Sequence, residues 1–436
     1  MTSRSRSAWR SLLDERLRAG QASLVSGRVV SVMGGVIEAR LPGAVVGQFC
    51  EVEAGGAFRR AEVVGLDGES SVRLLPWGSV SGVCVGSRVI AQAPIAGMPA
   101  PESLLGRVVG GDGEPLDGGG AVERREVWPE AGFARRSMGP GSRLETGIGL
   151  LDALAPLARG ARVAVLGEAG SGKSTLLRTL RASVDAEVVV IGLVGERARE
   201  AAALVEEVFS GPGSARTTVV VASSEAPASE RVAAAEFAAA LASAWRAEGR
   251  HCLLMLDSLS RYARALREVA QFRGESLGPT GYPVTLGARL AQLLERAGAG
   301  EGGAVTGLYT VLEAGGGAQE AVAEEVRSLV DAQWVLRRRL SDRGVFPALD
   351  PVASMSRLSD LVLHPGSLRV ARVCRGALGL LETHREAVEL GYYRAGTRAA
   401  LDAAIANEAA LLAALRGLRG EALWSELGRI AAELER

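Results

Sequence analysis

The stretch that decides the fold is Ala161–Val184, ARVAVLGEAGSGKSTLLRTLRASV. Its first residues form a short apolar run that predicts a buried strand, and its last residues have the spacing of a helix. Between them, GEAGSGKS at Gly167–Ser174 fits the pattern G-x-x-x-x-G-K-[ST] in its expected strand–loop–helix setting. The glycines let backbone N–H groups surround a phosphate chain at the positive end of a helix. The sequence therefore predicts an α/β domain that binds a nucleotide.

Two side chains of this loop have separate tasks. Lys173 can reach the β- and γ-phosphates of a nucleotide, and the Ser174 hydroxyl can ligate Mg²⁺. A second apolar run, Cys252–Asp257, predicts a neighbouring strand whose terminal aspartate can hold the water shell of that Mg²⁺. The predicted metal contacts are therefore Ser174 and Asp257. The predicted nucleotide contacts in the loop are Gly167, Glu168, Ala169, Gly170, Ser171, Gly172, Lys173, Ser174 and Thr175.

An acid–base pair follows the next apolar run, Val188–Leu193. Ligands of open α/β sheets bind beyond the carboxyl ends of the strands, so Glu196 can polarise a water for in-line attack on the γ-phosphorus. Arg197 can contact phosphate or support the glutamate. A solvated helix start explains the pair equally well, because glutamate is favoured near a helix N-terminus. The residues alone leave both interpretations open.

Two later residues also have two interpretations each. Arg357 follows an apolar, proline-containing run, where a lone arginine is more often a salt-bridge partner than an arginine finger for phosphoryl transfer. Phe346 is one of only seven phenylalanines, and it suits a core position or a flat surface for a nucleotide base. The residue types alone favour the salt bridge for Arg357 and do not decide for Phe346.

The composition excludes several classes of function. Lys+Arg and Asp+Glu both number 50, so the chain has no overall basic charge for nucleic-acid binding. The four cysteines lie far apart without metal-ligand spacing, which predicts buried free thiols in a reducing compartment. No run of about 18 uninterrupted apolar residues occurs, so we predict no membrane-spanning segment.

The chain is long enough for two or three domains, and its patterning divides it into four regions. Short alternating runs punctuated by glycine predict a small all-β barrel, and alternating strand and helix patterns then predict a mostly parallel sheet with helices on both faces. The predicted regions are a helix or tail at 1–20, the β-barrel at 21–95, the nucleotide-binding core at 96–372 and a helical domain at 373–436.

The first region is basic and amphipathic. Trp9, Leu12, Leu13 and Leu17 fall on one helical face with arginines around them. This pattern predicts either a helix that packs on its own domain or a docking helix for a partner or an anionic membrane surface.

These pieces, in this order, resemble the rotary-ATPase superfamily, above all the hexameric ATPases of flagellar and injectisome type III secretion. The resemblance extends from GRVVSV near Gly27 to the final helices. It implies an α/β, RecA-like P-loop ATPase core with an N-terminal small β-barrel and a C-terminal helical domain. It is carried by LLGRVVGGDGEPLDG, GEAGSGKS, GERARE, LLMLDSLSRYARALRE, GYPVTLGARLAQLLERAG, LYTVL, EEVRSLVDAQWVLRRRL, FPALDPVASMSRL and GYYRAG.

By position, the resemblance implies roles for the residues that bind ATP and Mg²⁺. Lys173 and Ser174 match the P-loop residues of the family. Asp257 is similar to the aspartate that organises Mg²⁺, and Arg261 lies in the same motif. Phe346 falls where the family has an aromatic residue that packs on adenine.

The resemblance also implies the catalytic residues, which are Lys173, Glu196, Arg197 and Arg357. Glu196 matches the glutamate that activates water, and Arg197 the arginine beside it. Arg357 matches the arginine finger that reaches into the neighbouring subunit's site, which implies a homohexameric ring. This match reverses the preference for a salt bridge at Arg357.

The implied activity is Mg²⁺-dependent ATP hydrolysis that energises type III secretion, through chaperone release and unfolding of export substrates. The implied location is cytoplasmic, peripheral to the inner membrane at the secretion apparatus. Gly274–Thr285 resembles the loop that faces the pore, and EVRSL favours the injectisome branch over the flagellar one. The implied partners are further copies of the chain, a central stalk protein, a peripheral stator bound by the N-terminal helix, the export gate and chaperone–substrate complexes, with no nucleic acid.

Three alternatives remain beside this hypothesis: a catalytic subunit of a rotary ATP synthase or ion pump, a ring-shaped RNA translocase, and a nucleotide-binding assembly subunit without turnover. The chain also departs from the family pattern in several places, and residues 129–160 match it only loosely. EAGGGAQEAV follows LYTVL in place of an acidic pair and Asp-Pro, Asp331–Gln333 reads Asp-Ala-Gln in place of Asp-Gly-His, and GERAR replaces GERGR. None of these changes removes a matched catalytic residue.

Overall fold

A computed structural model describes residues 25–33, 35–68, 70–92, 98–125, 141–313 and 318–436, without the side chains of Ala318 and Gln319. Within these ranges the chain forms a barrel, then a sheet between helices, then a helical part. The predicted α/β fold class with its barrel and C-terminal helices is therefore confirmed. The predicted helix at 1–20 lies outside the described residues.

In several strands of the barrel, buried residues alternate with more exposed ones. The pattern is clearest in Phe49–Ala54, where Cys50, Val52 and Ala54 point inward. The strands close in the order β1-β2-β5-β4-β3-β6, which leaves no unpaired edge in this barrel. They are β1 (Ser26–Met33), β2 (Val36–Arg40), β3 (Phe49–Ala54), β4 (Ala57–Asp67), β5 (Ser71–Pro76) and β6 (Arg88–Ala91).

Five short aliphatic runs predict core strands, and all five are present. These runs are Val163–Leu166, Val188–Leu193, Thr217–Val221, Cys252–Leu256 and Val305–Leu312. The core strands and short bridges are β7 (Met98–Pro99), β8 (Val108–Val109), β9 (Arg124–Arg125), β10 (Arg143–Leu144), β11 (Leu157–Ala158), β12 (Arg162–Gly167), β13 (Val188–Glu196), β14 (Thr217–Ser223), β15 (His251–Asp257), β16 (Gly298–Ala299), β17 (Ala304–Leu312), β18 (Ala332–Leu336) and β19 (Met355–Ser356).

The central sheet runs in the order β19-β18-β12-β17-β15-β13-β14-β8. All its neighbouring pairs are parallel except β18–β19, and β16 adds an antiparallel pair to β17. The carboxyl ends of β12, β13, β15 and β17 therefore lie at one edge, because strands that run parallel end on the same side.

The helices pack on both faces of the sheet and at the C-terminal end of the chain. They are α1 (Gly149–Leu154), α2 (Lys173–Ser183), α3 (Ala198–Ser210), α4 (Ala228–Ala247), α5 (Leu259–Arg273), α6 (Leu286–Leu294), α7 (Ala318–Leu329), α8 (Arg338–Asp342), α9 (Ser359–Val362), α10 (Pro365–Glu389), α11 (Ala399–Gly417) and α12 (Gly420–Leu434), with 3₁₀ turns at Pro101–Leu104 and Ser214–Arg216.

The two faces have separate apolar cores. One core holds the alanine-rich helix α4 with α5, α6 and α7, and the other holds α1, α2 and the C-terminal helices. Helix α4 lies unusually close to β13, since a Cβ at Gly192 would clash with Leu256 and lie 3.2 Å from the Ala238 Cβ. Small side chains on α4 therefore bring this helix directly onto the strand that leads to Glu196.

Two elements differ from the sequence prediction. Strand β18, beside the P-loop strand β12, was not predicted, because AQWVL is short and lies between charged segments. Helix α10 begins at Pro365 and ends at Glu389, whereas the segment LLETHREAVELGYYRAG predicts a helix over residues 380–396. Proline is favoured in the first turn, where His364 accepts a hydrogen bond from the Gly366 N–H (3.3 Å), and Gly391 follows the end with φ +73°.

Three further predictions can be compared with the described residues. Cys50, Cys252 and Cys374 are buried free thiols, but Cys84 is exposed, so the prediction that all four are buried is wrong. None of the described helices combines the length and apolar character needed to cross a membrane. The four region boundaries stay predictions, and α10 runs through the one at 372/373.

Candidate active site

A cleft opens at the sheet edge where β12, β13, β15 and β17 end. It brings Lys173 and Ser174 together with Glu196 and Asp257, which lie farther along the chain. We call it the nucleotide cleft. Its lining residues are Ala169, Gly170, Gly172, Lys173, Ser174, Thr175, Glu196, Arg197, Glu200, Asp257, Ser258, Arg261 and Leu312.

The loop between β12 and α2 needs glycine at specific positions. Gly170 and Gly172 have φ of +77° and +94°, a region that side chains other than glycine rarely adopt. Gly167 does not tolerate a larger residue for a different, steric reason, because a Cβ there would lie 2.9 Å from the Leu336 carbonyl oxygen. Near the start of α2 the loop therefore leaves its backbone, rather than side chains, open to a ligand, as phosphate binding requires.

Lys173 is the only lysine in the sequence, and all the other residues among the 50 Lys and Arg are arginines. It is buried (9% exposed), and its Nζ donates hydrogen bonds to the carbonyl oxygens of Gly167 (2.7 Å) and Glu168 (2.5 Å). Burial lowers its pKa to about 8, although the Asp257 and Glu196 carboxylates oppose that shift. A desolvated ammonium of this kind gains strongly from an anionic partner.

Asp257 ends β15 and has a fixed carboxylate. Its Oδ2 accepts a hydrogen bond from the Ser174 hydroxyl (3.3 Å), and its Oδ1 accepts one from the Thr310 hydroxyl (2.6 Å). A hydroxyl beside a carboxylate supplies the oxygen ligands that Mg²⁺ prefers, so these residues fit the metal. No cluster of three or more His, Cys, Asp or Glu side chains within the described ranges could form a metal cage.

Glu196 lies at the end of β13, paired with Arg261 of α5. Burial raises the pKa of Glu196, as does the neighbouring Asp257, while Arg261 lowers it. A carboxyl with a raised pKa is a stronger proton acceptor once it is ionised. Gly195 makes this pairing possible, because its φ is +71° and a Cβ there would lie 3.1 Å from the Arg261 Cβ.

Arg197 occupies a different environment from the adjacent Glu196. It precedes α3, its side chain is 81% exposed, and its guanidinium lies 3.6 Å from the Glu200 carboxylate at the mouth of the nucleotide cleft. The position allows contact with solvent or a ligand, but the Arg197 side chain forms no ion pair with Glu196, whose carboxylate pairs with Arg261. Its catalytic role stays a prediction.

Phe346 and Arg357 are absent from the lining of the nucleotide cleft, as far as the structure describes it. Phe346 is 67% exposed, so it is not a core residue. The Arg357 guanidinium donates one long hydrogen bond, 3.4 Å, to the Arg327 carbonyl oxygen. No carboxylate of the described residues lies within 4.0 Å of it, so the salt bridge that the residue type favoured is not formed.

Sequence reasoning did not identify two hydroxyl residues that support the cleft. Thr310 holds Asp257, and the Ser260 Oγ accepts a hydrogen bond from the Leu312 N–H (2.8 Å). Both lie in quoted motifs, but their contacts depend on which strands are neighbours. That β15 and β17 are adjacent follows only from the sheet order.

The sequence and the structure both match known proteins. The family described as ATP synthase alpha/beta family, nucleotide-binding domain, matches residues 147–356. A type 3 secretion system ATPase of Pseudomonas syringae pv. tomato is 38% identical over 421 residues, covering 94% of this chain and 93% of that protein. A flagellum-specific ATP synthase of Treponema pallidum is 37% identical over 400 residues, covering 91% and 89%.

Among solved structures, the assembled ATPase EscN of the enteropathogenic E. coli type III secretion system has a TM-score of 0.85 and 30% identity, covering 93% of this chain and 100% of that one. The same ATPase in complex with its central stalk EscO has a TM-score of 0.81, with the same coverage. Relatives above 30% identity along nearly the whole chain show the family. This chain belongs to the type III secretion system ATPases, within the ATP synthase alpha/beta family.

Proposed function

We propose that this chain is a Mg²⁺-dependent ATP hydrolase that energises type III protein secretion as a homohexamer. The observation that carries the proposal is the convergence of Lys173, Ser174, Glu196 and Asp257 in the nucleotide cleft. Each lies at the end of a strand or the start of a helix that the sheet holds rigid, and rigid placement of charged groups is the main requirement of phosphoryl transfer.

The loop and Lys173 bind the triphosphate. Backbone N–H groups at the start of α2 face the phosphates, and the Lys173 ammonium exchanges its two carbonyl contacts for phosphate oxygens. Ser174 and Asp257 would hold Mg²⁺, which neutralises charge on the phosphates when bound. The preference of the Lys173 site for an anion then orients the γ-phosphate toward Glu196.

Glu196 acts as the base in hydrolysis. Its carboxylate accepts a proton from the attacking water, whose oxygen forms a bond to the γ-phosphorus while the bond to the ADP oxygen breaks. The products are ADP and inorganic phosphate. Arg261 keeps the carboxylate ionised, because its positive charge lowers the pKa that burial raises.

Arg357 acts in the site of the neighbouring subunit, and Phe346 provides a surface for adenine. Two features support these roles. Both residues are absent from the lining of the nucleotide cleft, and neither is committed to a strong contact within the described part of its own chain. An arginine that is free of carboxylates keeps its full charge for a phosphate that another subunit presents.

The work on export substrates rests on the family. We propose release of chaperones from export substrates and their unfolding, with a central stalk protein inside the ring and a location at the secretion apparatus, on the cytoplasmic face of the inner membrane. The export gate, the chaperone–substrate complexes and a peripheral stator are the further partners that we propose. The loop Gly274–Thr285 would face the pore, and its Val284 is 78% exposed, as contact with a passing chain requires.

The test is steady-state ATP hydrolysis by the purified chain over a range of protein concentrations. An enzyme with shared sites should show specific activity that rises with concentration as rings assemble, and activity should require Mg²⁺. Constant specific activity down to dilutions where only monomer sediments would contradict the shared site. A chain that binds ATP but never turns it over would support the assembly-subunit alternative.

The remaining alternatives have their own observations. Stimulation of hydrolysis by single-stranded RNA would favour an RNA translocase over our proposal. Dependence of activity on a second, non-catalytic subunit would favour a rotary synthase or ion pump. The choice between the injectisome and flagellar branches stays a prediction, and neighbouring genes for needle or flagellar components would decide it.

A further inference from the structure

A buried hydroxyl determines how Asp257 is oriented. Thr310 lies on β17, one residue beyond Leu256–Tyr309, the last register pair between β15 and β17. Its side chain is 0% exposed, and its Oγ1 lies 2.6 Å from Asp257 Oδ1 and 3.3 Å from the Leu256 carbonyl oxygen. Because a hydroxyl has a single proton and both neighbours are acceptors, the shorter contact is the one to which Thr310 donates.

This hydrogen bond divides the two carboxylate oxygens between two tasks. Oδ1 is held by Thr310, so Oδ2 is the oxygen that lies 3.3 Å from the Ser174 hydroxyl. The terminal torsion of an aspartate has a broad energy minimum, and a strong donor on one oxygen restricts it. A second link, from the Leu312 N–H to Ser260 Oγ, holds the ends of the same two strands together.

We propose that Thr310 is a positioning residue that holds the Asp257 carboxylate in the orientation that receives the Mg²⁺ water shell beside Ser174. The inference rests on the proposed function, since it assumes that Mg²⁺-ATP binds in the nucleotide cleft. Thr310 acts only through Asp257, because it is fully buried and does not line the cleft. Loss of its hydroxyl should therefore change how Mg²⁺ acts on nucleotide binding, and leave the metal-free nucleotide contacts as they are.

The chain offers a matched control on the same strand. Thr306 is also 0% exposed, and its hydroxyl also has two hydrogen-bond partners, the Gly160 N–H (2.9 Å) and His251 Nε2 (2.9 Å). It lies nearer the amino end of β17, away from the nucleotide cleft. Thr306→Val therefore removes a buried hydroxyl of the same kind from the same strand without touching Asp257.

The experiment compares the wild-type chain with Thr310→Val, Thr310→Ser and Thr306→Val. Binding of a fluorescent ATP analogue is titrated in EDTA and then at increasing Mg²⁺ concentration, and hydrolysis is measured separately. Thr310→Val should raise the Mg²⁺ concentration for half-maximal effect about tenfold, the equivalent of one hydrogen bond to a charged group. Affinity in EDTA should be unchanged, and Thr310→Ser, which keeps the hydroxyl, should restore the Mg²⁺ response.

Three results would overturn the inference. The first is a wild-type Mg²⁺ response in Thr310→Val. The second is an equal shift in Thr306→Val, which would mean that any lost hydroxyl in β17 loosens the sheet. The third is a wild-type chain whose nucleotide binding does not respond to Mg²⁺, and this result would also overturn the proposed function, which the first two leave intact. If Thr310→Val does not fold by circular dichroism, Thr310→Ala against Thr310→Ser makes the same comparison.

Discussion

The nucleotide cleft and the segment at residues 343–358 are both composed of family motifs, yet their side chains are in opposite situations. In the cleft, Lys173 and Asp257 are buried, Lys173 is bonded to its own loop, and Asp257 is held by Thr310 behind the cleft. In the segment, Phe346 is 67% exposed and Arg357 has one long contact with a carbonyl oxygen. The cleft is organised by its own chain, whereas the segment leaves these two side chains without a strong contact in the described part of the chain.

The difference separates two kinds of functional residue. A residue in the cleft can be tested within one subunit, because its partners lie in the same fold. A residue of the segment has to be tested in the assembly, because we propose that Arg357 completes a neighbouring site. The following experiments address this distinction in order of expected effect.

Arg357→Ala should reduce the steady-state rate of ATP hydrolysis by about 10³- to 10⁵-fold, the usual contribution of an arginine finger. Nucleotide affinity of the dispersed chain should not change, because Arg357 does not line its own cleft. A coupled ATPase assay and a binding titration measure the two quantities. Arg429→Ala is the matched control, since within the described residues this arginine pairs with Glu426 and Glu433 of its own helix α12, and the variant should retain wild-type turnover.

Mixed rings sharpen the same prediction. Chains with Arg357→Ala and chains with Glu196→Gln are each expected to be inactive alone. When they are mixed before assembly, a site with an intact glutamate from one chain and an intact arginine from the other should regain hydrolysis. Mixtures that stay as inactive as the separate variants would mean that Arg357 and Glu196 work in the same subunit, and the contrast between the two regions would be lost.

Glu196→Gln should lower turnover by about 10²- to 10⁴-fold, the usual contribution of a general base. ATP binding should be retained, because glutamine has nearly the same shape and removes a negative charge near the phosphates. Single-turnover hydrolysis with pre-bound ATP measures the chemical step directly. Glu207→Gln on α3, whose carboxylate pairs with Arg178 on the surface, serves as the control with wild-type turnover. Retained turnover in Glu196→Gln would remove Glu196 from the role of base.

The pH profile tests the pairing of Glu196 with Arg261. Hydrolysis needs the ionised carboxylate, so activity should fall as the pH drops through the raised pKa of Glu196. Arg261→Gln removes the charge that lowers this pKa, and the acid limb of the kcat profile should therefore move to higher pH. The rate at each pH is measured with saturating ATP. An acid limb that stays in place, or moves to lower pH, would show that Arg261 does not set the ionisation of Glu196.

Phe346→Ala should have the smallest effect, a rise in the KM for ATP of about tenfold or less, with kcat nearly unchanged. The size follows from the roughly 0.5–1.5 kcal/mol that one aromatic stacking contact contributes. Phe346→Tyr keeps the ring and should keep the wild-type KM. If the alanine variant shifts the KM for ATP and for a triphosphate without a base equally, Phe346 does not contact adenine.

The residues of the cleft were predictable from the sequence because each is a local signal. GEAGSGKS lies between a strand and a helix, and the apolar runs before Glu196 and Asp257 end where a parallel sheet places its ligands. Recognising such signals requires only the periodicity of the apolar residues and the direction in which the strands run. All five strands that the aliphatic runs predicted are present, with ends that differ by a few residues.

The remaining features depend on neighbours that the sequence does not specify. The contact of Thr310 with Asp257 depends on the adjacency of β15 and β17 in the sheet. Strand β18 is recognisable mainly because it pairs with β12. Whether Arg357 pairs with a carboxylate depends on its neighbours in the fold, and no local sequence pattern reveals them. One further local signal marks the cleft, because Lys173 is the single lysine in a chain whose other strongly basic side chains are all arginine.

That single lysine makes the chain unusually simple to label. Any reagent selective for side-chain amines has one target, and the target lies at the phosphate-binding loop. Because its pKa is about 8, a substantial fraction is neutral and nucleophilic in mildly alkaline buffer, where an ordinary lysine is almost fully protonated. A protease specific for lysine would likewise cleave only between Lys173 and Ser174. Because Lys173 is buried, hydrogen-bonded to the loop and part of the first turn of α2, the rate of either reaction reports how readily this turn opens, and a bound nucleotide should slow both.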